Sequence, residues 1–387
     1  MTTLQWVLTI IPAIVALYAY VVYPTLLWLV VRARKREAVK RTSGHPYVSV
    51  VVPAYNEERQ IAGAIDALLT QDYPPERLQI LILSDASTDA TDEIVAGYAS
   101  RGVELLRMPE RSGKTKAENI ACARLRGEIV VNTDSSIRLH KAAVRELVAH
   151  MSDPAVGVAT GRDVSISALD HTANLTEAGY VNYEMRVRAL ETRTGGIVGA
   201  SGSCYAIRVD LHRIAIPDNL SRDFSSALTA RSHGFRSVSV DEAICFVPRT
   251  SSLQREYRRK VRTISRGMET LYHHRQLLDP VRYGSFAWKL FSHKICRWAV
   301  PVSIVPGIVG LALLARDHLW ARGVLLVGVG VALLAVAGAV WPVRRRMPRL
   351  VSVAAFGVSA NLAVLHALLR ALAGHHDHVW EPTRRTA

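Results

Sequence analysis

The sequence is poor in cysteine and in acid. Its four cysteines, Cys122, Cys204, Cys245 and Cys296, show neither a CxxC spacing nor the framework of a small secreted domain, which excludes a zinc ribbon and a disulfide scaffold. They read as buried thiols in a reducing compartment. Asp and Glu number 33 against 48 Lys and Arg, a net charge of +15. Such an excess can mark nucleic-acid binding, but no nucleic-acid module is visible, so nucleic acid is not expected as a partner. Much of the excess borders apolar runs, where membrane lipids with anionic headgroups account for it. Internal repeats and low-complexity linkers are also lacking, which excludes a repeat array.

Charge is missing altogether from Thr3 to Val31, a stretch without Asp, Glu, Lys or Arg and longer than the ~20 residues that cross a bilayer. Arg32, Arg34, Lys35, Arg36, Lys40 and Arg41 follow it and mark the cytoplasmic side. A cleaved signal peptide has a positive leading segment and a shorter apolar core, so this stretch reads as a signal anchor. Three more spans are expected, at about Trp298 to Ala315, Gly323 to Val343 and Leu350 to Leu372. Pro301 and Pro306 could kink the first or make it re-entrant. If all span, Arg344, Arg345, Arg346 and Arg349 lie inside, in accord with the positive-inside rule. His375, His376 and His378 read as an exposed polar tail rather than a metal site. The expected organisation is an anchor at 1–31, a basic cytoplasmic linker at 32–46 and an α/β domain at 47–278 that ends in a basic interfacial helix. An interfacial segment at 279–297, about three membrane helices at 298–373 and a polar tail at 374–387 complete it.

Between the apolar regions, short β-branched runs alternate with amphipathic stretches, the pattern of an α/β domain with a mainly parallel sheet. Tyr47 to Val52 is the first predicted strand, and Ile61, Ile65, Leu68 and Leu69 recur at helical spacing after it. Asn56 is the natural N-cap between them. Tyr55 and Glu57 then stand at a strand's C-terminal edge, where ligands bind in open α/β sheets. On this unit alone, Glu57 reads as a helix-dipole residue. The second strand, Leu78 to Leu83, again ends in acid and hydroxyl, Ser84-Asp85-Ala86-Ser87-Thr88-Asp89. Ser87, Thr88 and Asp89 read as capping residues, which leaves Asp85 to reach a ligand. The loop Arg111 to Lys116 offers a glycine and two lysines to a phosphate, without Walker A spacing.

The most informative stretch is Glu128 to Ser136. The buried-strand run Ile129-Val130-Val131 stops at Asn132-Thr133-Asp134-Ser135-Ser136 and delivers a carboxylate to a third strand edge. An acid beside small hydroxyls suits Mg²⁺ or Mn²⁺ carrying a phosphate-bearing ligand. Alone, Asp134 would read as a turn before the helix Lys141 to Met151, and the two companion edges favour the ligand.

The second half is less regular. Ala155 to Thr160 is a predicted strand, Glu177 to Thr192 a helix, and the small-residue turn Gly199 to Ser203 precedes the strand Cys204 to Arg208. Ser221-Arg222-Asp223-Phe224 opens a helix that runs through Arg231. In Gln254 to Thr270, Arg255, Arg259, Arg262 and Arg266 share one helical face. Such a row can clamp a diphosphate or lie on lipid headgroups.

Pro53-Ala54-Tyr55-Asn56-Glu57-Glu58, Ser84 to Asp89, Gly113-Lys114-Thr115-Lys116-Ala117 and Thr133-Asp134-Ser135-Ser136 form an ordered series. It resembles the nucleotide-binding half of family 2 glycosyltransferases with the GT-A fold, over about Val48 to Leu271. The flanking apolar segments look like those of membrane-embedded bacterial members that build cell-surface polysaccharides or glycolipids. The resemblance implies a nucleotide-sugar donor bound by Pro53, Tyr55, Glu57 and Asp85, with Lys114 beside them. Asp134 matches the first acid of the family's D-x-D metal motif, and Ser136 stands at the second, a weaker set than two carboxylates. Asp223 matches the second acid of an acidic pair, the general base, while Arg222 replaces the first. Of the basic row, Arg259, Arg262 and Arg266 are the candidates for the donor diphosphate, and Arg262, within the segment that corresponds to the family's signature, is the candidate catalytic residue. There Lys260-Val261-Arg262-Thr263-Ile264 replaces the Q-x-x-R-W of processive synthases, and the missing tryptophan argues against a long-chain synthase. The expectation is inverting transfer to a hydroxyl of a lipid-linked or saccharide acceptor, at the membrane with the catalytic domain cytoplasmic, in cell-envelope or exopolysaccharide synthesis. The alternatives are a processive synthase and, because Ser136 and Arg222 replace two family acids, an inactive scaffold or sugar-binding partner.

Overall fold

A computed structural model describes residues 2–33, 44–166, 172–248, 253–342 and 347–374. The basic positions 34–41 and 344–346 and the histidines at 375, 376 and 378 lie outside the described residues. The first helix, α1 (Thr3–Ala33), is long and apolar enough to cross a membrane. A π turn at Tyr18–Val22 interrupts its regular hydrogen bonding.

The domain that follows is built on one eight-stranded sheet. Strands β1 (Val48–Ala54), β2 (Leu78–Ser84), β3 (Val103–Arg107) and β4 (Ile129–Thr133) are all parallel, in the order β3-β2-β1-β4. Every residue of β1 and β4 is buried, as β-branched runs covered on both faces should be. Helices α2 (Ile61–Leu69), α3 (Thr91–Ala96) and α4 (Lys114–Ala121) make the crossovers. Because β1 has β2 on one side and β4 on the other, the connections diverge there. The crevice between the C-terminal ends of β1 and β4 is the topological switch point.

Parallel pairing stops at β4. The sheet continues with β7 (Cys204–Arg208), β6 (Val156–Ile166), β8 (Arg236–Pro248) and β5 (Arg138–Leu139). Strand β7 runs antiparallel to both β4 and β6, β6 and β8 are parallel, and β5 closes the edge antiparallel to β8. Strands β3, β5 and β8 carry weak signals in the sequence. Strand β3 is a half-covered edge, β5 has two residues, and exposed Asp241 and Glu242 split the apolar run of β8.

Further helices are α5 (Ala143–Met151), α6 (Thr172–Arg193), α7 (Val209–His212), α8 (Arg222–Ser232) and α9 (Leu253–His273). Three more helices have membrane-spanning length and composition: α10 (Ser285–Leu314), α11 (Leu319–Ala339) and α12 (Arg349–Leu372). Helix α10 begins within the stretch read as interfacial and stays helical through Pro301 and Pro306, with a π turn at Phe291–Cys296. Its Gly310 lies so close to α1 that an added Cβ would be 2.6 Å from Thr9 Oγ1, so the two helices pack backbone to backbone. Helix α9 packs on α12, burying Val261 against Ala363 and Ala367, with Lys260 Nζ 3.6 Å from the Phe356 ring centroid.

Candidate active site

At the switch point, β1 and β2 both end in strained turns. Asn56 and Ala86 adopt left-handed φ values of 54° and 57°, which cost a residue with a Cβ roughly 1–2 kcal/mol. Asn56 is not the N-cap expected from the sequence. Helix α2 starts later, at Ile61 after Gln60, and the Asn56 side chain turns aside to accept from Thr88 N–H at 2.8 Å. Thr88 and Asp89 therefore fasten the β2 turn to the β1 turn, Asp89 accepting from Glu58 N–H at 3.2 Å.

Asp85 is engaged by the protein itself. Its Oδ1 accepts from Ser112 N–H at 2.7 Å and its Oδ2 from Gly113 N–H at 2.8 Å. Gly113 has φ 87°, a conformation open to glycine, and it leads directly into α4. The carboxylate thus fixes the loop that starts α4 and so positions Lys114. The Arg111 guanidinium lies 4.0 Å from the Tyr55 ring centroid, a cation–π contact at the mouth of the crevice.

One cavity of about 670 Å³ gathers most of the expected residues: Glu57, Lys114, Asp134, Ser136, Asp223, Arg259, Arg262 and Arg266 line it. Pro53, Tyr55 and Asp85 do not line it and flank the crevice from β1 and β2, and Arg255 is also outside. Lys114 Nζ donates to Asp134 Oδ1 at 2.6 Å. Burial alone would lower the lysine pKa, but Asp134 and Glu118 outweigh it and hold the ammonium above its ordinary range. The start of α4 therefore presents a fixed positive charge at the end of β4.

Asp223 sits in the first turn of α8, whose N-cap is Ser221. The Ser221 hydroxyl donates to Asp223 Oδ1, and a Cβ on Gly202 would lie 3.1 Å from Asp223 Oδ2. The turn Gly199 to Ser203 thus needs a small residue at 202 to admit the carboxylate. Arg222, the unexpected neighbour, is buried: its Nε lies 3.3 Å from Glu118 Oε2 and it donates to Asn119 Oδ1 at 2.5 Å. Burial raises the Glu118 pKa, and Lys114 and Arg222 oppose that rise. Sequence reasoning missed Glu118. The only signal was a lone acid in α4 one helical turn after Lys114.

Toward the apolar helices the cavity wall changes character. It includes Tyr180, Glu184, His293, Lys294, Arg297, Phe356 and Val364. Glu184 of α6 accepts from His293 Nε2 at 2.8 Å and from Arg297 at 2.6 Å, and Glu191 accepts from His293 Nδ1 at 2.7 Å and from the Tyr23 hydroxyl. Lys289 Nζ donates to Gly196 O at 2.6 Å. These residues were not singled out in the sequence, although Lys289, His293 and Arg297 recur every four residues and so mark one face of α10. Among the described residues no group of three or more His, Cys, Asp or Glu could hold a metal ion by itself.

Comparison with known proteins bears on the family and the fold. Residues 49–214 match the family model described as Glycosyl transferase family 2. An N-acetylglucosaminyltransferase of Rhizobium sp. (strain N33) is 28% identical over 215 residues, 51% of this chain and 48% of that protein. One from Rhizobium meliloti (strain 1021) is 25% identical over 294 residues, 71% of this chain and 68% of that one. The match thus spans about half the length of the first relative. Among solved structures, the mannosyltransferase PcManGT from Pyrobaculum calidifontis, in complex with GDP-Man and Mn²⁺, superposes with a TM-score of 0.72 at 21% identity. That alignment covers 94% of this chain and 99% of that one, and it shows a shared fold.

Proposed function

Because the chain carries a family 2 glycosyltransferase domain with the GT-A fold, we propose that it is a membrane-bound enzyme moving a hexosyl or related sugar from a nucleotide-sugar. The acceptor is a hydroxyl of a lipid-linked or saccharide molecule. The supporting observation is that one cavity is lined by the Lys114–Asp134 pair, Asp223 and the arginines of α9, and continues onto apolar residues of α12. Asp223 is the general base that takes the proton of the acceptor hydroxyl as it attacks the anomeric carbon, with inversion. Arg259, Arg262 and Arg266 stabilise the charge that builds on the departing diphosphate. Pro53, Tyr55, Glu57 and Asp85 border the base and ribose.

The oxygen donors Asp134 and Ser136 fit a hard cation completed by phosphate oxygens and water. The Lys114 ammonium bonded to Asp134 marks a spot already suited to positive charge. When bound, Mg²⁺ or Mn²⁺ would be held by Asp134 and Ser136 and would supply Lewis-acid stabilisation of the diphosphate. The four apolar helices support a multi-pass protein, and the basic residues that follow the first of them in the sequence support a cytoplasmic catalytic domain; on this reading the enzyme acts in cell-envelope or exopolysaccharide synthesis. A processive synthase is disfavoured by Ile264 standing where those enzymes carry tryptophan.

The test is a thermal-shift panel of nucleotide-sugars with and without Mn²⁺, since a donor that binds the folded state raises its apparent stability. Asp134→Ala should abolish the Mn²⁺-dependent part of the shift. Unchanged metal-dependent nucleotide affinity in the folded variant removes the metal role, and no nucleotide-sugar turnover by the parent leaves the scaffold reading.

A further inference from the structure

We propose that Asp163 and Ser201 form a subsite that receives a hydrogen-bond donor of a substrate sugar, a hydroxyl or an amide N–H. The inference rests on the reading of the cavity as a glycosyl-transfer site and adds a residue to which that reading gives no role. Both side chains line the cavity, and the backbone presents them deliberately. The pairing of β6 with β8 slips between Thr160 and Arg162, and irregularities of this kind re-aim the side chains that follow. Gly161 makes the irregularity feasible, since a Cβ there would meet Cys245 Sγ at 2.5 Å and Ala243 O at 2.8 Å.

Asp163 is then held from one side. Ser201 Oγ donates to its Oδ2 at 2.8 Å, while Ser201 N–H donates to Thr160 Oγ1 at 2.9 Å and so fixes the serine. The other oxygen, Oδ1, is buried and meets no donor among the described residues. A buried carboxylate oxygen without a donor costs folding free energy, on the order of 1–3 kcal/mol or more for a charged group. A ligand that brings a donor recovers that cost on binding. Gly202, the residue after Ser201, lies against Asp223, so the subsite and the proposed base are joined by one tight turn.

The sugar belongs either to the nucleotide donor or to the acceptor, and the two give different results. The full chain in detergent with Mn²⁺ is titrated with UDP, UDP-GlcNAc, GDP and GDP-mannose, in the parent, in Asp163→Asn and in Ser201→Ala. Free nucleoside diphosphate affinity should stay within about twofold in both variants. If the donor sugar docks there, Asp163→Asn weakens the nucleotide-sugar by about 10- to 100-fold, the range of a hydrogen bond to a charged group. If the acceptor docks there, nucleotide-sugar affinity is kept and the acceptor KM rises by a similar factor, with kcat within a few-fold. Ser201→Ala should move the same quantity by a smaller factor, which decides the matter if Asp163→Asn does not fold. Unchanged constants in the folded variants, or equal loss of nucleotide and nucleotide-sugar, would overturn the subsite in favour of a bound water or a structural role. A parent that binds none of the four ligands overturns the reading of the whole cavity, and the subsite with it.

Discussion

The two ends of the cavity are built by different physics. At the switch-point end, the proposed donor-binding groups stand mostly on loops that follow parallel strands and are held locally, as in Asp85 with the backbone N–H of Ser112 and Gly113, beside a fully buried pair, Arg222 with Glu118. At the membrane end, charges from helices far apart in sequence are buried against each other: Glu184 and Glu191 of α6 meet His293 and Arg297 of α10. Asp223, half-buried in the first turn of α8 and bonded to the Ser221 hydroxyl, can be altered with little loss of fold. Buried ion pairs are another matter, because removing one partner strands the other charge away from water. The first end should therefore fail in function and the second in stability.

The largest expected effect tests the first half of that contrast. Asp223→Asn should lower turnover by ~10²- to 10⁴-fold, the loss expected for a general base, while nucleotide-sugar affinity and thermal stability stay close to the parent. Steady-state kinetics beside a melting curve decides it. Near-normal turnover would make Asp223 a helix-start residue bonded to Ser221 and nothing more.

Glu184→Gln tests the other half. It removes the charge that faces His293 and Arg297, and breaking a buried pair in this way costs about 3–5 kcal/mol, read as a lowered melting temperature in detergent. The same carboxylate gives a pH signature. Burial would raise its pKa, but the charges of His293 and Arg297 outweigh burial and hold it well below the ordinary value of 4.5. Its contribution to stability is therefore present above pH 4.5 and is lost as the pH falls below it. The variant should lose that part of the acid transition, and an unchanged melting temperature and acid profile would show that the contact is not energetically coupled.

This contrast also explains what was legible in the sequence. The GT-A sheet and the place of Asp134 could be read because a strand announces itself by a continuous apolar run, and the polar residues after it occupy the sheet edge by geometry; Asp223, in the first turn of α8, was singled out only through its resemblance to the family's acidic pair. Lys114 was legible only through its loop, and its bond to Asp134 depends on Asp85 holding Gly113. Glu118 and the pairs joining α6 to α10 were hidden because periodicity identifies faces and does not say which faces meet. The four-residue spacing of Lys289, His293 and Arg297 lies in the stretch 279–297 that reads as interfacial, and the spacing alone does not say that the face is a buried seam. Asn56 was misread for a local reason. A cap competes with any other donor in reach, and the backbone N–H of Thr88 on the neighbouring strand's turn claimed its side chain.

Helix α9 lies between the two ends and should give the smallest effect. Its buried face packs on α12 through Val261, while Arg259, Arg262 and Arg266 line the cavity. Arg259 is already committed in part, its Nε donating to Glu256 at 2.9 Å. Arg262 lines the cavity from the segment that corresponds to the family's signature and is the candidate for the diphosphate, so Arg262→Ala should lower transfer about tenfold in detergent with a soluble acceptor, as expected for one charge-assisted contact. Arg255 does not line the cavity, so Arg255→Ala should lose activity only in anionic vesicles, and the loss should fade with salt as surface charges are screened. Measuring both variants in detergent and in vesicles separates the roles along a single helix face. If Arg262→Ala matches the parent in detergent, the diphosphate is served by Lys114 and Arg266, and the functional end of the cavity stops short of the middle of α9.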